Sequence, residues 1–210
     1  MWRIDCDPEE QEEILIAENH LDRLVKYAED FSAALSLFNF CNQFHHRLTG
    51  EWLFVAARDG AMTIYHIGKT MELTRAAIKR APSLAAMVLE EPLSEAGKKY
   101  RTSFPTFEKM RHAVSHSSEL FRDRDSHAKN SFSGSYNDGY IAIENSHRVV
   151  VANSLLGRKY TNTIDGKIIS YEISEPTKLI VYDCVNTFLS GFKLVYDTFS
   201  HWPEVPTPRW

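Results

Sequence analysis

Arg111, His112 and His116 fall close together in the run Phe104-Pro105-Thr106-Phe107-Glu108-Lys109-Met110-Arg111-His112-Ala113-Val114-Ser115-His116. Phe104, Phe107, Met110 and Val114 recur at helical spacing and are expected to face a core. Arg111, His112 and His116 are left off that stripe. A guanidinium is always charged and presents a donor fork that fits phosphate. An imidazole takes up and releases a proton near neutral pH. Together they suffice for metal-independent RNA cleavage, because the 2′-hydroxyl is itself the nucleophile. On an ideal helix Arg111 and His116 are about 140° apart, at 100° per residue. They converge only if the Arg side chain wraps, the helix end distorts, or two copies of the chain pool their groups. His112 and His116, four residues apart, share a face.

A second chemistry is weighed on the same residues. His112 and His116 have helical metal-ligand spacing, with His66 or Asp59 as a third ligand. Ala113, however, stands where a zinc-protease motif carries its glutamate base, so no metal is expected. Cys6, Cys41 and Cys184 are far apart and form no Cys-x-x-Cys, which argues against a disulfide framework or a cysteine zinc site. No glycine-rich phosphate loop, nucleophile elbow or dinucleotide fingerprint is present, and no cofactor is expected.

Arg111-His112-Ala113-Val114-Ser115-His116 resembles the Arg-x4-His motif of the HEPN superfamily, small helical bundles common in prokaryotic toxin and defence systems. That family usually has a polar residue straight after the Arg, as His112 is, and an aliphatic residue between Arg and His, as Val114 is. The resemblance implies that Arg111 stabilises the transition state, His116 acts as acid or base, and His112 positions phosphate. It implies a homodimer in which two motifs meet to form an RNase site, with RNA as substrate and an antitoxin or other protein as partner. Some members add a polar residue from an earlier helix; Asp59 is the candidate, without a motif match. The chain departs from the family in carrying β-rich residues after the motif and in lacking a nearby nucleotidyltransferase motif. Many members are inactive, so a helical interaction module is the alternative reading.

The elements that must position these groups are mostly helices. Asp7-Pro8-Glu9-Glu10 has the pattern of a helix start, with Asp7 as N-cap and Glu10 where a capping-box acid reaches back. Ile14, Ala17, Leu21, Leu24, Ala28, Phe31, Leu35, Phe38 and Cys41 then keep a 3.6-residue period to about Phe44, as one bent helix or two broken near Asp30-Phe31-Ser32. Glu51 to Ala81 reads as a second helix closed by Pro82. Its small residues Ala57, Gly60, Ala61 and Gly68 would let another helix approach closely. Asp59, Thr63, His66 and Thr70 form one polar stripe on it, either paired or lining a site. A short helix over 83–91 and a third main helix from Ser94 to Leu120, interrupted at Pro105, follow.

Residues 121–139 are polar and read as a loop, with Arg122, Arg124, His127, Lys129 and Tyr136 as candidates to close over RNA. From 140 to 173 the period changes to 2, and Asp165-Gly166 signals a type I′ hairpin. Ser174-Glu175-Pro176 opens a last helix with the stripe Val181, Val185, Phe188, Phe192, Val195 and Phe199. The expected fold is mainly α, an up-down HEPN-like helical bundle of one domain over 1–210, with a small antiparallel β-sheet inserted before the last helix.

Charge is uneven. Residues 1–30 hold ten acids against three cations, and residues 69–129 hold twelve cations against eight acids, a region suited to an anionic ligand. The net charge of −4 argues against a sequence-blind DNA coat. No apolar run approaches the ~20 residues that cross a bilayer. Met1-Trp2-Arg3-Ile4-Asp5-Cys6-Asp7 has no signal-peptide pattern, so no membrane association and a cytoplasmic location are expected.

Overall fold

The computed structural model describes residues 2–44, 48–115 and 122–199. The described chain is mainly helical, with small antiparallel sheets ahead of the last helices. The helices are α1 (Pro8–Asn42), α2 (Thr49–Arg80), α3 (Pro82–Ala85), α4 (Glu90–Ser103), α5 (Phe107–Ser115), α6 (Arg124–Asn130), α7 (Glu175–Ser190) and α8 (Lys193–Phe199). The strands are β1 (Phe132–Asn137), β2 (Ala142–Val149), β3 (Ser154–Leu156), β4 (Lys159–Ile164) and β5 (Lys167–Glu172). None of the described helices is long and apolar enough to cross a membrane. The chain forms two compact units, and α1 and α2 contribute residues to both.

The first unit contains residues up to Asp30, then 66–105, then those from Lys178 onward. Asp7 caps α1 as expected, its carboxylate accepting the Glu10 N–H at 2.9 Å. The Glu10 carboxylate does not complete a capping box; it accepts the Ser83 N–H at the start of α3. Glu13 and Arg80 form a two-pronged ion pair at 2.6 and 2.8 Å. Ile14, Leu21, Leu24, Val181, Val185, Phe188 and Phe192 are buried, so both periodic stripes face the core. At Gly68 a helix does come close: the Tyr100 phenol of α4, fully buried, bonds to the Gly68 backbone. The last helix is not continuous. It breaks at Gly191, whose carbonyl accepts the Leu89 N–H at 2.8 Å. A Cβ there would collide with the Leu93 side chain and stand 2.9 Å from the Leu89 carbonyl oxygen. Trp2 closes this end, stacked on Phe192 and edge-on to Tyr196.

The second unit contains residues 31–65 and 106–177. The helix expected from Ser94 to Leu120 is two helices, as Pro105 allows: α4 ends at Ser103 and α5 begins at Phe107. Residues 116–121 lie outside the described residues. The loop expected over 121–139 is corrected to a helix and a strand, α6 and β1. Asp123 caps α6 by accepting the Ser126 N–H at 2.8 Å. The strand β1, Phe-Ser-Gly-Ser-Tyr-Asn, is exposed along most of both faces, so no period-2 apolar signal marked it. It pairs with β2, with register shifts on either side of Gly134. The strands β3, β4 and β5 form a separate three-stranded antiparallel sheet. Asp165 and Gly166 both take positive φ, 48° and 69°, as the expected type I′ turn requires.

Two contacts fasten the sheets within this unit. Tyr171 of β5 sends its hydroxyl to the Ala57 carbonyl of α2, and Gly60 leaves the room for it. The close approach expected there between helices is thus made by a strand's tyrosine. The second contact is the Asp138–Lys159 ion pair at 2.5 Å, with side chains only 12 % and 18 % exposed. Burial pushes the Asp138 carboxyl up. The Lys159 ammonium, the Ile141 N–H, the Tyr136 phenol and the Tyr140 N–H outweigh this and hold it well below the usual carboxylate range.

Two outcomes follow. Gly191→Ala drives a methyl group into the Leu93 side chain and the Leu89 carbonyl and is expected to cost about 1–3 kcal/mol. A thermal melt should read this as a drop of roughly 3–10 °C; an unchanged melt would contradict the packing. Asp138 has a lower pKa folded than unfolded, so its stabilisation is full above the ordinary carboxyl value near 4 and is lost as pH falls toward the folded value. The urea-stability gap between wild type and Asp138→Asn should therefore be wider at about pH 6 than at about pH 2.5.

Candidate functional site

The motif helix α5 lies along the first half of α2 in antiparallel sense, within the second unit. Three residues of α2 meet it in order. Tyr65 meets Arg111, Met62 meets Ser115, and Arg58 meets Val114. They are spaced four and three residues apart, one face of a helix. On its other side α5 buries Phe107, Met110, Ala113 and Val114, the stripe the sequence predicts plus Ala113. Arg111 and His112 are left exposed on the same short helix.

Arg111 is held from below by Tyr65. Its Nη1 donates a long hydrogen bond of 3.4 Å to the Tyr65 hydroxyl, and its guanidinium carbon stands 5.7 Å from the ring centroid. Such a cation–π contact is worth about 0.5–1 kcal/mol at an exposed site. It orients the group without neutralising it, so the positive charge stays available to an anion. At the end of α5, Arg58 Nη2 donates to the Val114 carbonyl at 3.3 Å. A cation at that position satisfies a terminal carbonyl and complements the negative end of the helix. The Arg58 Nε is buried and meets no acceptor among the described residues.

The remaining site candidates are dispersed. His116 lies outside the described residues. Asp59 is exposed on α2 in the same unit as Arg111, and Thr63 donates its hydroxyl to the Asp59 carbonyl at 2.9 Å. His66 belongs to the first unit, where its ring stacks on Tyr27 at 5.1 Å. Arg122 is exposed and pairs with neighbouring Asp123 at 3.3 Å, and Arg124 is the exposed first residue of α6. Lys109 and Lys129 converge on Asp165 at 2.9 and 3.6 Å, and the Lys109 bond leads in lowering that carboxyl. Tyr136 donates to Asp138 at 2.7 Å, so its hydroxyl is committed within the hairpin.

Arg58, Met62 and Tyr65 were not anticipated from the sequence. Their spacing carries a signal, one arginine and one tyrosine on a common face of α2. Only the packing of α5 shows that this face is the one used. Among the described residues no group of three or more His, Cys, Asp or Glu is placed to hold a metal ion. No protein-family model matches the chain, and neither a curated protein nor a solved structure matches it.

Arg58→Ala removes the donor from the Val114 carbonyl and is expected to cost about 1 kcal/mol. The check is hydrogen exchange, which should quicken at the last amides of α5 and leave α4 unaltered. Equal protection in both proteins would rule out the cap.

Proposed function

We propose that the chain is a metal-independent endoribonuclease of HEPN type. It works as a cytoplasmic homodimer in a toxin or defence setting, with a cognate protein partner. The single observation that carries this reading is Arg111, exposed, charged and oriented by Tyr65 on a helix whose other face is buried. A guanidinium held this way suits the doubly charged, five-coordinate phosphorus of an RNA-cleaving transition state. In the proposed reaction the RNA 2′-oxygen loses its proton and attacks the adjacent phosphorus. The bond from phosphorus to the 5′-oxygen breaks, and the leaving oxygen gains a proton. His116 moves these protons, Arg111 neutralises the phosphorane, and His112 holds a phosphate oxygen. Asp59, Arg122 and Arg124 are assigned to substrate contact or support, and His66 to a supporting role. Products end in a 2′,3′-cyclic phosphate and a 5′-hydroxyl.

A second reading, a helical interaction module without catalysis, is favoured by the exposed apolar side chains at one end of α1 and α2.

The two readings part on one assay. Purified protein is incubated with total RNA in excess chelator. The proposal expects cleavage that survives chelation and falls about 100-fold or more in Arg111→Ala and in His116→Ala. Cleavage equal in wild type and both variants would assign the activity to a contaminant and leave the interaction module.

A further inference from the structure

The strongest apolar anomaly of the second unit lies where α1 ends and α2 begins. Leu37, Phe40, Phe44, Leu48, Trp52 and Val55 are 40 %, 55 %, 52 %, 37 %, 48 % and 56 % exposed. Leu37, Phe40 and Phe44 recur at three and four residues along one side of α1 and just past its end. Leu48, Trp52 and Val55 do the same at the start of α2. The buried positions are Ala34, Leu35, Phe38 and Cys41 on α1, centred about a third of a turn from the exposed set, and Ala56 and Ala57 on α2. Each helix therefore has two apolar faces here, one inside the unit and one in solvent. Phe40 and Phe44 already touch, with ring centroids 4.7 Å apart.

We infer that this face is the contact surface between two copies of the chain. Six side chains of this size at about half exposure present roughly 600 Å² of apolar surface, the upper end of what a soluble monomer leaves in water. Two such faces together cover about 1,200 Å², the lower bound of a specific, stable interface. Charge selects the occupant. From Phe31 to Ala57 the only charged residues are Arg47 and Glu51. A nucleic acid or an anionic lipid surface needs a cationic face, which this is not. A two-fold contact sets a patch against itself, so it excludes like charges and tolerates one that is nearly neutral. Phe and Trp with few charges beside them, Arg47 and Glu51 of opposite sign along the chain and Arg158 bonded to Asn39, is the composition of a homodimer interface core. The inference gives the proposed endoribonuclease dimer its contact face. It rests on that reading for the catalytic consequence alone.

The test reads mass and cleavage separately. Wild type and the double variant Phe40→Glu, Trp52→Glu are run by size-exclusion chromatography with light scattering across a concentration series. Circular dichroism is recorded on both, because exposed positions should leave the fold intact. The expected result is twice the protomer mass for wild type and a dissociation constant raised at least about 100-fold in the variant, since apposed glutamates repel across the axis. A wild type that stays monomeric, a variant that stays dimeric, or a monomeric wild type that co-floats with neutral vesicles each overturns the inference. Val55→Ser serves as a milder second variant and should weaken pairing in the same direction. The nuclease reading is judged apart from this, by whether chelator-resistant cleavage requires Arg111. A monomer that cleaves sinks the surface and the homodimer, and spares the Arg111-dependent cleavage chemistry. A dimer without Arg111-dependent cleavage does the reverse.

Discussion

The seat of Tyr171 on α2 is the contact on which the second unit depends. A tyrosine only 5 % exposed must find a partner for its hydroxyl, and it finds the Ala57 carbonyl inside a helix whose carbonyls are already used. The approach is possible because position 60 has no side chain; a Cβ there would stand 2.6 Å from the tyrosine oxygen. Phe31 of α1 and Tyr160 of β4 pack edge-on against the same ring. One aromatic residue thereby holds β5, β4, α1 and α2 in register. Burial raises its phenol pKa far above the usual range, so it stays neutral and keeps its proton to donate.

From that anchor the motif helix is reached in two steps. The β4–β5 turn, fixed by the sheet, presents Asp165, which draws in Lys109 of α5 and Lys129 of α6. The Asn130 side chain accepts the Asp165 N–H at 3.1 Å and ties the end of α6 to the same turn. The inner face of α5 is buried, and Tyr65, Met62 and Arg58 support it along α2. A nine-residue helix is too short to be stable alone. Its shape is therefore set by the tyrosine-anchored sheet on one side and by α2 on the other. This is how a small sheet with no catalytic residues of its own bears on the placement of Arg111.

The charged groups divide by purpose. Glu13–Arg80, Lys99–Asp183 and Asp138–Lys159 are matched pairs, and the first two lie near the surface, where such pairs contribute little to stability. Asp138–Lys159 differs because it is mostly withdrawn from water and tied by two backbone N–H groups and a phenol. Arg111 is different again. Its partner is an aromatic ring and a hydroxyl, which orient a charge but do not cancel it.

The sequence alone determined what depends on neighbours a few residues away. Asp7 as a cap, the periodic stripes of α1 and α7, the break at Pro105 and the type I′ turn at Asp165-Gly166 are all read from local spacing, because backbone geometry and amphipathic period are local properties. The exposure of Arg111 and His112 was legible for the same reason, as the residues left over from an apolar stripe. Other features were not local. The strand β1 has no alternating pattern and exists because β2 pairs with it. The last helix breaks at Gly191 because Leu89 and Leu93 press on it from far along the chain. Gly60 invites close packing, but only the fold decided that a tyrosine from a strand would take the space. His66 and Asp59 share one stripe in sequence yet belong to different units. Burial, partnership and the direction from which a side chain is approached are properties of distant residues brought together, and no window of sequence contains them.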